Sequence, residues 1–68
     1  MSKEMIFFIY LLERYASEKQ STAPKILSEW DKLGSTDFIY EMYEIYHTER
    51  LQNAFDDIDT LVHEKMSA

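Results

Sequence analysis

The side chains of this chain that could do chemistry are an acidic run, Asp56-Asp57-Ile58-Asp59, and two histidines, His47 and His63. A calcium loop needs oxygen ligands at alternate positions and a glycine at its turn. Here the acids lie inside a strongly periodic helical pattern with an isoleucine between them, so they fan apart. Asp59 and His63 are spaced i, i+4 and can touch on a helix surface. A zinc site would need a tetrahedron of His, Cys or carboxylate ligands, and the chain has no cysteine, no HExxH and no two histidines on one turn. Acid–base catalysis would need a concave apolar pocket, for which a helical chain this small has little room. The serines, Ser2, Ser17, Ser21, Ser28, Ser35 and Ser67, fall mostly at helix ends and loops, where capping explains them. A single glycine excludes a GxSxG elbow and a glycine-rich phosphate loop. The expectation is a non-enzymatic protein without catalytic, cofactor-binding or metal-ligating residues.

The elements that would carry these residues read as four helices in one all-α domain spanning 1–68. The first covers about 2–18, with Ser2 as N-cap and Glu4 in the first turn. Met5, Phe8, Ile9, Leu12, Tyr15 and Ala16 form its core face, and Phe7, Tyr10 and Leu11 form a second stripe, with Ile6 off to one side. A second helix, 23–33, has Thr22 or Ser21 as cap, Pro24 in its first turn and Gly34 as the left-handed residue that ends it. Ala23, Ile26, Leu27, Trp30 and Leu33 share its inner face. The third, 37–47, is capped by Ser35 and Thr36 and turns Phe38, Ile39, Met42, Ile45 and Tyr46 inward and Tyr40 outward. The fourth, 49–66, is capped by Thr48 and buries Leu51, Ala54, Phe55, Ile58, Leu61, Val62 and Met66. Nothing in the sequence forces a break between the last two helices, which could run on with a bend.

Sixty-eight residues bury only about 60% of the surface that the unfolded chain exposes. Chains of this size usually gain stability from a disulfide, a metal or a partner, and the missing cysteine leaves the partner. A content of 46% hydrophobic residues argues against disorder. The apolar run Met5–Leu12 is too short to span a bilayer and is followed by Glu13 and Arg14 rather than a cleavage site, which fits a buried helix of a cytoplasmic protein. The net charge of −6 is lopsided. Residues 1–34 carry five bases and five acids, whereas residues 35–68 carry two bases and eight acids. That field disfavours nucleic acid and anionic membrane and favours a basic partner. Residues 23–47 have a helix-turn-helix outline, but the would-be recognition helix holds Asp37, Glu41 and Glu44 and no base, so it cannot neutralise phosphate.

The segment pattern of an LLExYA-type helix (Phe8 to Ala16), a DFIYxxYxxYH stretch (Asp37 to His47) and a DDID element (Asp56 to Asp59) resembles a family of short, functionally uncharacterised bacterial proteins. Members are often encoded beside toxin-like genes, some related to ADP-ribosyltransferases. The resemblance implies an antitoxin or accessory role and carries over no catalytic residue.

These readings converge on a protein–protein interaction module. The acidic outer face (Tyr40, Glu41, Glu44, Asp56, Asp57, Asp59) would attract a basic protein surface, and the second stripe (Phe7, Tyr10, Leu11) would supply apolar contact. The alternative is a structural homodimer through Phe7, Tyr10 and Leu11, in which Leu11→Glu would separate the copies without unfolding them.

Overall fold

The Ser2 hydroxyl accepts from Met5 N–H at 3.1 Å and opens α1, Lys3–Glu18. Thr22 does the same, through Lys25 N–H, for α2, Ala23–Lys32, whose Pro24 sits where the missing N–H is harmless. The remaining helices are α3, Thr36–Glu41, α4, Tyr43–Tyr46, and α5, Leu51–Ser67. The computed structural model describes residues 1–67, and these are all-α, without a strand. Five helices therefore replace the four expected.

The extra break falls at Met42, inside the expected 37–47 helix. Met42 has φ −81° and ψ 12°, and its N–H bonds to the Ile39 carbonyl, three residues back. This tight turn redirects the side chains on either side of it. Tyr40, expected outside, packs its ring 5.6 Å from that of Phe8 on α1. Phe38 and Ile45, expected inside, are exposed. The gap between α4 and α5 is real. Thr48, expected to cap α5, instead donates to the Glu44 and Ile45 carbonyls and closes α4.

Both α1 and α2 end in the same backbone motif. Gly34 has φ +68°, with its N–H on Asp31 O and the Ser35 N–H on Trp30 O. This is the 6→1 and 5→2 bond pair that terminates helices through a left-handed residue. Gln20 holds the equivalent position after α1 at φ 55°, with Ser21 N–H on Ala16 O. A side chain tolerates that conformation at some cost. Ser35 does not cap α3 with its side chain. Its hydroxyl is fully buried without a protein partner, while Thr36 donates to Asp31 and ties α2 to α3.

The core is centred on α1. Phe8, Leu11, Leu12, Tyr15 and Ala16 of α1 meet Ile26 and Trp30 of α2, Ile39 of α3, Tyr46 of α4, and Ala54, Phe55 and Ile58 of α5. Trp30 is the anchor, 1% exposed, with its ring 6.0 Å from Phe8 and 5.5 Å from Tyr15. Compared with the expected face, α1 is rotated toward Leu11. Leu11 is 1% exposed and belongs to the core, whereas Met5 and Ile9 face outward. Aromatic rings of α3 and α4 on the Phe7–Phe8 side draw the helix that way. Met66, expected inside, is also exposed.

Leu11 is therefore a stability residue and not an interface residue. Truncating a buried leucine costs about 2–5 kcal/mol, and a domain of this length has roughly 3–10 kcal/mol in total. Leu11→Glu, which adds a buried charge, is expected to abolish the cooperative helical melt seen by circular dichroism. Ile6→Glu, on the outer face, should leave that melt within a few degrees of the parent.

Candidate functional site

The acidic residues of α5 are not a free cluster. Asp59 accepts from the Tyr15 hydroxyl at 2.6 Å and from Lys19 Nζ at 2.9 Å. Asp57 accepts from the Tyr46 hydroxyl at 2.6 Å. Asp56 accepts from Gln52 Nε2 at 2.9 Å, one turn back along α5. Tyr15 and Tyr46 are core residues whose hydroxyls reach the surface, so two aspartates fasten α5 to α1 and α4. Burial, followed by the hydrogen bond and charge of the aspartate, pushes each phenol well above its ordinary range. Asp59 thus contacts Tyr15 and Lys19, and the contact with His63 suggested by the i, i+4 spacing does not form. Among the described residues no group of three or more His, Asp or Glu side chains is arranged to hold a metal ion.

His47 is held locally. Its ring stacks on Tyr43 with centroids 4.1 Å apart and planes 5° apart. Its Nδ1 lies 2.6 Å from the Tyr43 carbonyl oxygen, and since a carbonyl can only accept, Nδ1 carries the proton. Phe7 closes the cluster, edge-on to Tyr43 at 5.7 Å and to His47 at 6.3 Å, with Tyr10 at 6.4 Å. Together with Lys3 and Ile6 these side chains line an open, mostly apolar groove of about 520 Å³ between α1 and α4. No carboxylate lines it.

Beside the groove runs the outer face of α1. Met5, Ile6, Ile9 and Tyr10 are 38%, 57%, 40% and 49% exposed, and they sit at i, i+1, i+4 and i+5. That spacing makes one continuous stripe on the far side of the helix from Leu11 and Tyr15. The Arg14 guanidinium lies over the Tyr10 ring at 5.9 Å.

Of the partner-binding residues expected from sequence, Phe7 and Tyr10 belong to this surface, and Glu41, Glu44 and Asp56 are exposed elsewhere. Leu11 is corrected to the core and Tyr40 to a half-buried packing position against Phe8. Asp57 and Asp59 are exposed in part but engaged with tyrosines. Sequence reasoning missed Met5, Ile6 and Ile9. Their signal was present, because a helix with apolar residues on most of its circumference must leave one side uncovered.

Residues 6–65 match the family DUF3791, described as proteins of unknown function. The chain belongs to the DUF3791 family. No curated protein and no solved structure matches it. In this DUF3791 protein no helix among the described residues is long and apolar enough to cross a membrane.

The tyrosine–aspartate bonds give a pH signature. The folded state retains phenol protons that the unfolded chain releases near pH 10, so it binds more protons above that pH, and stability falls as pH rises. The stabilisation is complete below about pH 10 and is lost at higher pH. The melting temperature should drop steeply above about pH 10, with two tyrosines ionising only as the chain unfolds. Tyr46→Phe should flatten that slope and lower stability at pH 7 by about 1–2 kcal/mol in urea titration.

Proposed function

We propose that this protein is a non-enzymatic, cytoplasmic protein–protein interaction module that docks through the outer face of α1 and the adjoining groove. The observation that carries this reading is the unbroken row Met5, Ile6, Ile9 and Tyr10, exposed on one side of a helix whose other side is the core. Contiguous apolar patches of a few hundred Å² on small monomers commonly mark interaction sites. Burying an isoleucine such as Ile6 is worth about 1.5–3 kcal/mol, and the rigid aromatic rings beside it lose little freedom on binding.

The acidic half of the chain supports a more specific role, as the antitoxin or accessory subunit of a toxin-like partner with a basic surface. Asp37, Glu41, Glu44 and Asp56 stand exposed on α3, α4 and α5, on the half of the chain that carries the whole charge excess. Such a field steers a basic protein into encounter and speeds association more than it tightens it.

Site-specific photocrosslinking in cells that also express the neighbouring genes tests both levels. A photoreactive residue at position 6 should give a discrete protein adduct, and one at position 44 should add a basic partner. Ile6→Glu should reduce adduct formation from a probe at position 10 by about tenfold. Absence of any adduct from positions 6 and 10 would refute the docking surface.

A further inference from the structure

The groove between α1 and α4 has the side chains of a small-molecule site. We propose that it takes a planar aromatic carboxylate that carries a hydrogen-bond donor. The ring lies between the aromatic walls, the carboxylate meets Lys3, and the donor meets His47 Nε2. This occupant goes beyond the docking reading: the groove takes a ligand of its own, and nothing is asked of the outer stripe.

The walls call for a flat apolar body. Four of the six lining side chains, Phe7, Tyr10, Tyr43 and His47, are aromatic rings. Phe7 meets the other three edge-on or tilted, the arrangement that ring quadrupoles favour and that a further ring can join. The space of about 520 Å³ falls in the range of about 300–1,000 Å³ usual for ligand pockets.

Charge selects an anion. Lys3 lines the groove and no carboxylate does. Glu4, Glu13, Glu41, Glu44 and Glu49 neighbour the lining residues in the chain, yet none is part of the lining. At about 100° per residue, Phe7, Tyr10 and Arg14 lie within about 40° of Lys3 around α1, whereas Glu4 and Glu13 lie about 80–100° away. The Arg14 guanidinium over Tyr10 therefore puts a second base beside the groove. Three other hollows among the described residues each hold a carboxylate, Glu29 in two and Asp31 with Asp37 in the third. Aromatic faces alone would attract a cation, which Lys3 and Arg14 oppose. One lysine in the lining matches one carboxylate and falls short of a polyphosphate.

His47 supplies the acceptor. The bond to the Tyr43 carbonyl turns Nδ1 back to the α4 backbone and leaves Nε2, across the ring, to accept from a donor. Stacking on Tyr43 fixes the ring in that orientation. Because the groove is open, one side of the ligand stays in water, and a dissociation constant of about 0.1–1 mM is expected.

Amide chemical-shift titration of the full chain with indoleacetate, which has a ring N–H and a carboxylate, tests the assignment. Saturable shifts should centre on Phe7, Tyr10, Tyr43 and His47. Tryptamine, with an ammonium in place of the carboxylate, should bind about tenfold more weakly or worse. Lys3→Glu should weaken indoleacetate by about tenfold. His47→Phe keeps a ring and removes the acceptor. It should weaken indoleacetate about fivefold and leave naphthaleneacetate, which has no N–H, within about twofold. Circular dichroism on the same samples confirms that each variant is folded. Absence of saturable shifts at these residues by about 10 mM overturns the proposal. So does tryptamine binding as tightly as indoleacetate, or indoleacetate binding that ignores either substitution. The docking surface is judged separately, by the protein adducts from positions 6 and 10, and does not fall with this ligand.

Discussion

Everything in this fold depends on one helix serving as the core partner of four others. A chain of 68 residues has too little interior for helices to pack in separate layers. The stripe Phe8, Leu11, Leu12, Tyr15 and Ala16 therefore shares one core with residues of α2, α3, α4 and α5, with Trp30 packed between Phe8 and Tyr15. That arrangement demands a wide apolar sector on α1. The short helices α3 and α4, with six and four residues, gain little from their own backbone bonds. They persist because Ile39, Tyr40, Tyr43 and Tyr46 lie against α1 or the core around it.

The tyrosine hydroxyls solve the polar half of the same problem. Tyr15 and Tyr46 place large rings in the core and deliver a donor to its edge, where Asp59 and Asp57 receive it. The two aspartates are two residues apart on α5 and so point to different neighbours, one to α1 and one to α4. Lys19 adds a second bond to Asp59, but both of its charges are substantially exposed and such pairs contribute little. The DDID element is thus chiefly a fastening, which accounts for part of an acidic run that reads in sequence as a free surface.

Helix periodicity was enough to read the all-α class, the two long helices, the caps at Ser2 and Thr22 and the stop at Gly34, because each depends on residues close together in the chain. The rotation of α1 was not legible. Its two apolar stripes overlap, and only the aromatic residues of α3 and α4, 32 and 36 positions away at Tyr40 and Tyr43, decide which one is buried. Gln20 in a glycine-like conformation was equally hidden, since it is set by the bond from Ser21 to Ala16 and not by its own preference. The tight turn at Met42 carries no proline or glycine to announce it. Of the candidate surface, Phe7 and Tyr10 were recognisable as surplus apolar residues, while Met5 and Ile9 were misassigned by the same ambiguity that misplaced Leu11.

The order of elements along the chain has a consequence for synthesis. The helix that every other segment packs against is made first, and α5, which completes its enclosure, is made last. At ordinary translation rates the roughly fifty residues after α1 take about 3–10 s to appear. Until then the apolar sector of α1 lacks its full cover. The enclosure of α1, and with it the cooperative fold, cannot form before α5 has been made.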